Sequence, residues 1–151
     1  MDKVTLVRQM ALVASVLTLA SCAGGPLSED PSVTGLHFTT TSAFPDNPPP
    51  TNVDVTLSDA ERVRAIYEAT LALPMFPPGI YRCPPTFGYG HTIDFMRGAT
   101  IVVTASLEPG GCRPATISGA PPVRQTTAAY WTLLASKLGV DEADFFSFPK
   151  P

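Results

Sequence analysis

Apolar positions along this chain change their period several times, and each change marks an element. Val53, Val55 and Leu57 alternate with Asp54 and Thr56, so residues 52–57 are predicted to form a strand with one buried face. The period then lengthens, and Val63, Ile66, Tyr67, Thr70 and Leu71 recur at helical spacing on a single face. Ser58 with Glu61 three residues on reads as a capping box at the start of this helix. Pro74 ends it, because the residue before a proline disfavours helical geometry.

Strand-like alternation returns at Ile93 and Phe95, and again at Ile101, Val103, Ala105 and Leu107, which predicts a hairpin. An odd-length loop with Gly98 at positive φ would set Phe95 opposite Ile101 and Ile93 opposite Val103. Glu108-Pro109-Gly110-Gly111 reads as a second turn, and residues 112–117 as the third strand of a meander. Tyr130, Leu133, Leu134 and Leu138 mark a second helix over 127–138, with Gly139 as its left-handed cap. Trp131 lies off that stripe, at the edge of the domain, where it is expected to close the core against the tail residues Phe145, Phe146 and Phe148.

The order of elements predicts an α+β fold: a two-layer sandwich of an antiparallel sheet, about four strands, with two helices on it. Residues 23–51 are rich in Gly, Pro, Ser, Thr and Asp, end in Pro48-Pro49-Pro50 and keep no apolar period, so they read as a disordered tether. His37 and Phe38 fall inside that stretch and are expected to be incidental or to pack loosely. A disordered chain of this length spans roughly 30 Å on average.

The N-terminus carries an export pattern. Lys3 and Arg8 precede an apolar run from Met10 to Ala20, which is too short for a bilayer span of about 20 residues. Leu19-Ala20-Ser21-Cys22 follows it and resembles the lipobox of bacterial lipoproteins. That resemblance implies a signal peptide over residues 1–21, diacylglyceryl alkylation (a palmitate-type anchor) at the Cys22 thiol, and cleavage before Cys22. It also implies that membrane lipid is a partner of the acylated Cys22 and that the protein is anchored in the cell envelope. Two or three acyl chains on one cysteine hold a protein stably at a membrane, where one does not. The expected layout is therefore a signal peptide at 1–21, the lipidated cysteine with its tether at 22–51, and a single domain at 52–151.

Charge narrows the partners. Without Asp2, Lys3 and Arg8, the 10 basic and 13 acidic residues become 8 and 12, a net charge of about −4 with no run of like charges. A nucleic-acid partner is not expected, since it would call for clustered Lys and Arg. With Cys22 assigned to lipid, Cys83 and Cys112 remain as an even pair outside the reducing cytoplasm, and they read as a disulfide. Closing a loop of about 30 residues constrains the unfolded chain by about 3–4 kcal/mol.

Candidate chemistry is sparse. Gly88-Tyr89-Gly90-His91 with Asp94 resembles a glycine loop beside a base, but a strand follows it where a phosphate loop would need a helix. A hydrolase built on His91 and Asp94 is kept as an alternative; it would need a nucleophile and an orienting group converging on His91. No metal site, cofactor or catalytic residue is expected. The segment from Pro74 to Gly90 holds Met75, Phe76, Tyr81, Phe87 and Tyr89 among five prolines, so it is irregular, and together with Phe145, Phe146 and Phe148 it either completes the core or presents a rigid apolar binding surface. The leading expectation is a lipid-anchored envelope protein with a non-catalytic binding or structural domain. The alternative is an inhibitor or modulator of an extracellular enzyme that uses residues 75–87 as a rigid insert.

Overall fold

The structure, a computed structural model, describes residues 33–42, 51–86 and 88–146. Cys22 with the whole lipobox, most of the expected tether, Phe87 and Phe148 lie outside the described residues.

The fold is α+β. Six strands form one antiparallel sheet: β1 (Gly35–Ser42), β2 (Asp54–Leu57), β3 (Tyr89–Arg97), β4 (Thr100–Leu107), β5 (Pro114–Ile117) and β6 (Arg124–Gln125), in the order β2-β1-β3-β4-β5-β6. Two helices, α1 (Ala60–Leu71) and α2 (Ala128–Leu138), pack on one face, and a 3₁₀ turn (Glu142–Phe145) folds back after α2. Cys83 and Cys112 are joined in a disulfide.

The first correction concerns the tether. Residues 35–42 are no spacer; they form β1, which lies between β2 and β3 and pairs with β3 along its whole length, from Gly35↔Met96 to Ser42↔Tyr89. Leu36 and Phe38 point into the core and are fully buried, so the folded unit includes residues that composition had assigned to the linker. Neither His37 nor Phe38 is incidental.

The hairpin register is also shifted. Phe95 faces Val103 and Ile93 faces Ala105, and the strands join through the two residues Gly98 and Ala99, not through an odd-length loop. Gly98 takes a φ of 60°, the requirement at the first central position of a type II′ turn. A two-residue turn alone would turn Phe95 and Ile101 to opposite faces, but the register slips between Phe95 and Met96, so Val102 is the extra residue of a bulge. That slip keeps Ile93, Phe95, Val103, Ala105 and Leu107 on the core side, which is what their burial demands.

The helices follow the expected apolar faces. In α1, Val63, Ile66, Tyr67 and Thr70 are buried, but the N-cap is Asp59, whose carboxylate accepts from Arg62 N at 2.8 Å, and not Ser58. Either residue type can cap; Asp59 does so because its own carbonyl accepts the first intrahelical bond, from Val63 N at 2.9 Å. In α2, the Thr127 hydroxyl caps the start, and Gly139 at φ 76° ends it, with both Gly139 N and Val140 N donating to Ala135 O. The two helices meet through a buried polar pair. Thr70 Oγ1 donates to Ile66 O, so Tyr130 Oη must donate to Thr70 Oγ1, at 2.8 Å. Burial pushes the Tyr130 phenol above its usual pKa range.

Trp131 is wholly buried at the centre of the C-terminal closure, not at an edge. Its ring lies 5.3 Å from those of both Phe145 and Phe146, and its indole N–H donates to Thr126 Oγ1 at 3.0 Å.

Candidate functional site

Pleating gives the sheet two unlike faces. The inner face carries Leu36, Phe38, Ile93, Phe95, Ala105 and Ile117 against the helices. The outer face is hydroxyl-rich: Thr39, Thr92, Ser106 and Thr116 stand directly opposite one another across β1, β3, β4 and β5. Asp94 is on the same face and accepts from Thr104 Oγ1 at 2.6 Å. The His37–Asp54 pair at 2.8 Å also sits at the surface, where such a contact contributes little to stability.

His91 belongs to the other face. It lies in a box of aromatic rings made by Phe38, Tyr89, Trp131 and Phe145, with ring centroids 5.2–5.9 Å away. Its Nε2 lies 3.3 Å from the Phe145 carbonyl and its Nδ1 3.3 Å from Thr40 Oγ1, which itself accepts from Val53 N. These partners define the tautomer: Nε2–H donates to Phe145 O, and Nδ1 accepts the Thr40 hydroxyl proton. Burial pushes the imidazole pKa down to about 4, against the smaller opposing effect of the Phe145 hydrogen bond. Because His91 and Asp94 project from opposite faces of β3, the structure does not bring the two together. The hydrogen-bond partners of His91 are a carbonyl and a threonine hydroxyl, and no serine lies among them.

The segment between α1 and β3 is the most exposed part of the described chain. Prolines at 74, 77, 78, 84 and 85 remove the N–H groups a helix or central strand would need, so the backbone runs irregularly over the surface. It is nonetheless held at both ends. At its start, Gln125 N donates to Pro74 O at 2.9 Å, Phe76 N donates to Val123 O at 2.8 Å, and Arg124 Nη1 donates to Leu73 O at 2.9 Å. At its far end the Cys83–Cys112 disulfide ties it to the turn before β5.

Inside the loop, Tyr81 Oη donates to Pro78 O at 2.9 Å and the Tyr81 ring meets Phe76 edge-on at 5.4 Å. Gly79 at the apex has a φ of 145°, and a Cβ there would press on the Tyr81 hydroxyl at 3.3 Å. The loop thus has an internal brace as well as two anchors.

What this loop offers outward is apolar. Ile80 is fully exposed, Met75 is 62% exposed and Tyr81 44%, and Val123 on the adjoining segment is 41% exposed. Of the four residues expected to form a binding surface, Tyr81 is exposed, Phe76 is half-buried as the ring that supports it, and Phe87 lies outside the described residues. Tyr89 is buried; its hydroxyl donates to Phe145 O at 3.3 Å, and burial raises its pKa. Met75, also expected in that surface, is exposed; Ile80 and Val123 were not singled out for it. Ile80 follows Pro-Pro-Gly, a turn signal that would have placed it at a loop tip.

Beside the foot of this loop lies a groove of about 480 Å³ on the outer sheet face, reached by Thr41, Thr92, Ser106, Glu108, Thr116 and Val123 among others. Among the described residues no group of three His, Cys, Asp or Glu could hold a metal ion, and no helix is long and apolar enough to cross a membrane.

Compared with known proteins, the chain matches no family model, no curated protein and no solved structure.

Proposed function

We propose that this is a lipid-anchored protein of the bacterial cell envelope whose domain binds a protein partner, without catalysing a reaction, through the loop from Pro74 to Thr86. The observation that carries the reading is a contradiction in the loop's design: its apolar side chains face solvent, yet its backbone is fastened at both ends and braced within. Large exposed apolar groups are costly unless covered, and a preorganised loop loses little entropy when it docks. Flexible loops seldom invest in a disulfide, two backbone clasps and an internal tyrosine brace.

The anchor rests on the lipobox-like tetrapeptide ending in Cys22. Replacing Cys22 with Ala is expected to move the protein from the membrane fraction to the soluble one, and retention of the unlipidated variant at the membrane would overturn this part. For the loop, the wild type and an Ile80→Asp/Tyr81→Ala variant are to be compared for capture of partners from envelope extracts. Loss of a discrete partner with unchanged thermal stability supports the reading, and identical capture contradicts it.

A narrower version has the loop enter the cleft of an extracellular enzyme. It is favoured by Ile80, which stands fully exposed beside Gly79. Dose-dependent inhibition of a captured hydrolase, abolished by Ile80→Asp, would separate it from plain adhesion.

A further inference from the structure

The outer sheet face carries a second feature that the loop does not use. We infer that the groove beside the loop's foot is a binding site for a neutral oligosaccharide.

Three observations lead there. The groove, about 480 Å³, falls within the range of small-ligand sites, and its floor lacks a side chain at Gly90, where a Cβ would already meet Leu107 O at 3.1 Å. Thr92, Ser106 and Thr116 line it in register across β3, β4 and β5, and among the described residues their hydroxyls have no hydrogen-bond partner within the molecule. Among the described residues the lining includes no Lys or Arg, and its one ionisable residue on the outer face is Glu108; the side chains of His91 and Tyr89 are buried and bonded to the Phe145 carbonyl.

Each of these limits the ligand. An anion would face Glu108 with no compensating cation. An apolar ligand would strip water from three hydroxyls and a carboxylate and offer nothing in return. A ligand rich in hydroxyls, each able to donate and accept, matches all of these groups: threonine and serine hydroxyls take either role, and a carboxylate accepts from two donors at once. Val123 and Pro114 supply an apolar edge for the C–H faces that a sugar ring presents beside its hydroxyls. Neutral carbohydrate is the chemical class that combines the two.

This site adjoins the loop and shares Thr86 and Val123 with it, but Met75, Ile80 and Tyr81 lie outside its lining, so loss at Ile80 and loss at the hydroxyls are distinguishable. The full-length protein, purified in a non-glycosidic detergent, is to be titrated calorimetrically with cellotetraose, chitotetraose and maltotetraose, and with tetragalacturonate and spermidine as the anionic and cationic comparisons. Binding of at least one neutral tetrasaccharide is expected. It should weaken about ten-fold or more in Thr92→Val/Thr116→Val, which keeps the shape and removes two hydroxyls, and persist in Ile80→Asp. Unchanged melting temperature in the double variant ties its loss to the hydroxyls. No binding by any of the three sugars, stronger binding of tetragalacturonate or spermidine, or full affinity in the double variant would each overturn the inference.

Discussion

Acidification between pH 6.5 and 4 should weaken this fold through one side chain, His91. In the folded protein its imidazole sits among four aromatic rings, and its pKa is depressed to about 4; in the unfolded chain it returns to near 6.5. The folded pKa lies below the unfolded one, so the unfolded state binds the extra proton first. The stability contributed by the neutral form is complete above about pH 6.5, falls as pH drops, and is gone once pH passes below 4. A gap of about 2.5 pH units at 1.36 kcal/mol each amounts to about 3 kcal/mol, or roughly 10–20 °C in melting temperature for a domain of this size. The hydrogen bonds point the same way: a proton on Nδ1 would meet the Thr40 hydroxyl, which already donates there and accepts from Val53 N.

The assay is urea unfolding at pH 7, 6, 5 and 4 for the wild type and for His91→Phe, which keeps an aromatic ring in the box and removes the titrating group. Every carboxylate is common to both proteins, so the difference between their pH slopes isolates His91. The wild type should lose about 3 kcal/mol more than the variant between pH 7 and 4. Parallel slopes would refute the reasoning, and His91→Gln, which keeps a donor toward Phe145 O, checks that the Phe variant is not misleading through lost hydrogen bonds.

Other outcomes follow from the same packing. Trp131→Ala removes the largest fully buried side chain and should cost about 3–5 kcal/mol in chemical denaturation, whereas Trp131→Phe should cost less, because it keeps a ring against Phe145. Replacing both Cys83 and Cys112 with Ala should destabilise the domain by about 3 kcal/mol and raise proteolysis within residues 74–86 before the sheet is cut. Ile80→Asp should leave the melting temperature within about 1–2 °C of wild type, since the side chain is fully exposed; a larger drop would mean that Ile80 packs on something in the fold.

Legibility in the sequence followed the reach of each signal. Both helices and most strands of the meander were readable because their apolar period is local and their ends carry caps, as at Thr127 and Gly139. The disulfide was readable because assigning Cys22 to a lipid anchor leaves Cys83 and Cys112 as an even pair. β1 was hidden: Leu36 and Phe38 are its only large apolar residues facing inward, and the surrounding Gly, Ser, Thr and Pro residues carry the composition of a linker. Its signal was the alternation of Leu36 and Phe38 with His37 and Thr39, followed by further β-branched threonines that favour a strand. β6 is two residues long and has no periodicity to read. The hairpin register turned on the bulge at Val102, which depends on cross-strand pairing and leaves no mark in local pattern. The candidate site was legible in part. Proline and cysteine placement marked a rigid loop, but composition alone could not separate an aromatic that props the loop, Phe76, from an apolar tip that faces outward, Ile80.

The central claim is that Ile80 and its neighbours touch a protein partner. It is tested most directly by placing a photo-crosslinking amino acid at position 80 in the full-length protein in living cells, with Arg64, exposed on α1, as the comparison position. The account predicts a discrete adduct from position 80 that is absent from position 64 and lost when Tyr81 and Met75 are also replaced by Ala. No adduct at position 80, or the same adducts from both positions, would contradict it.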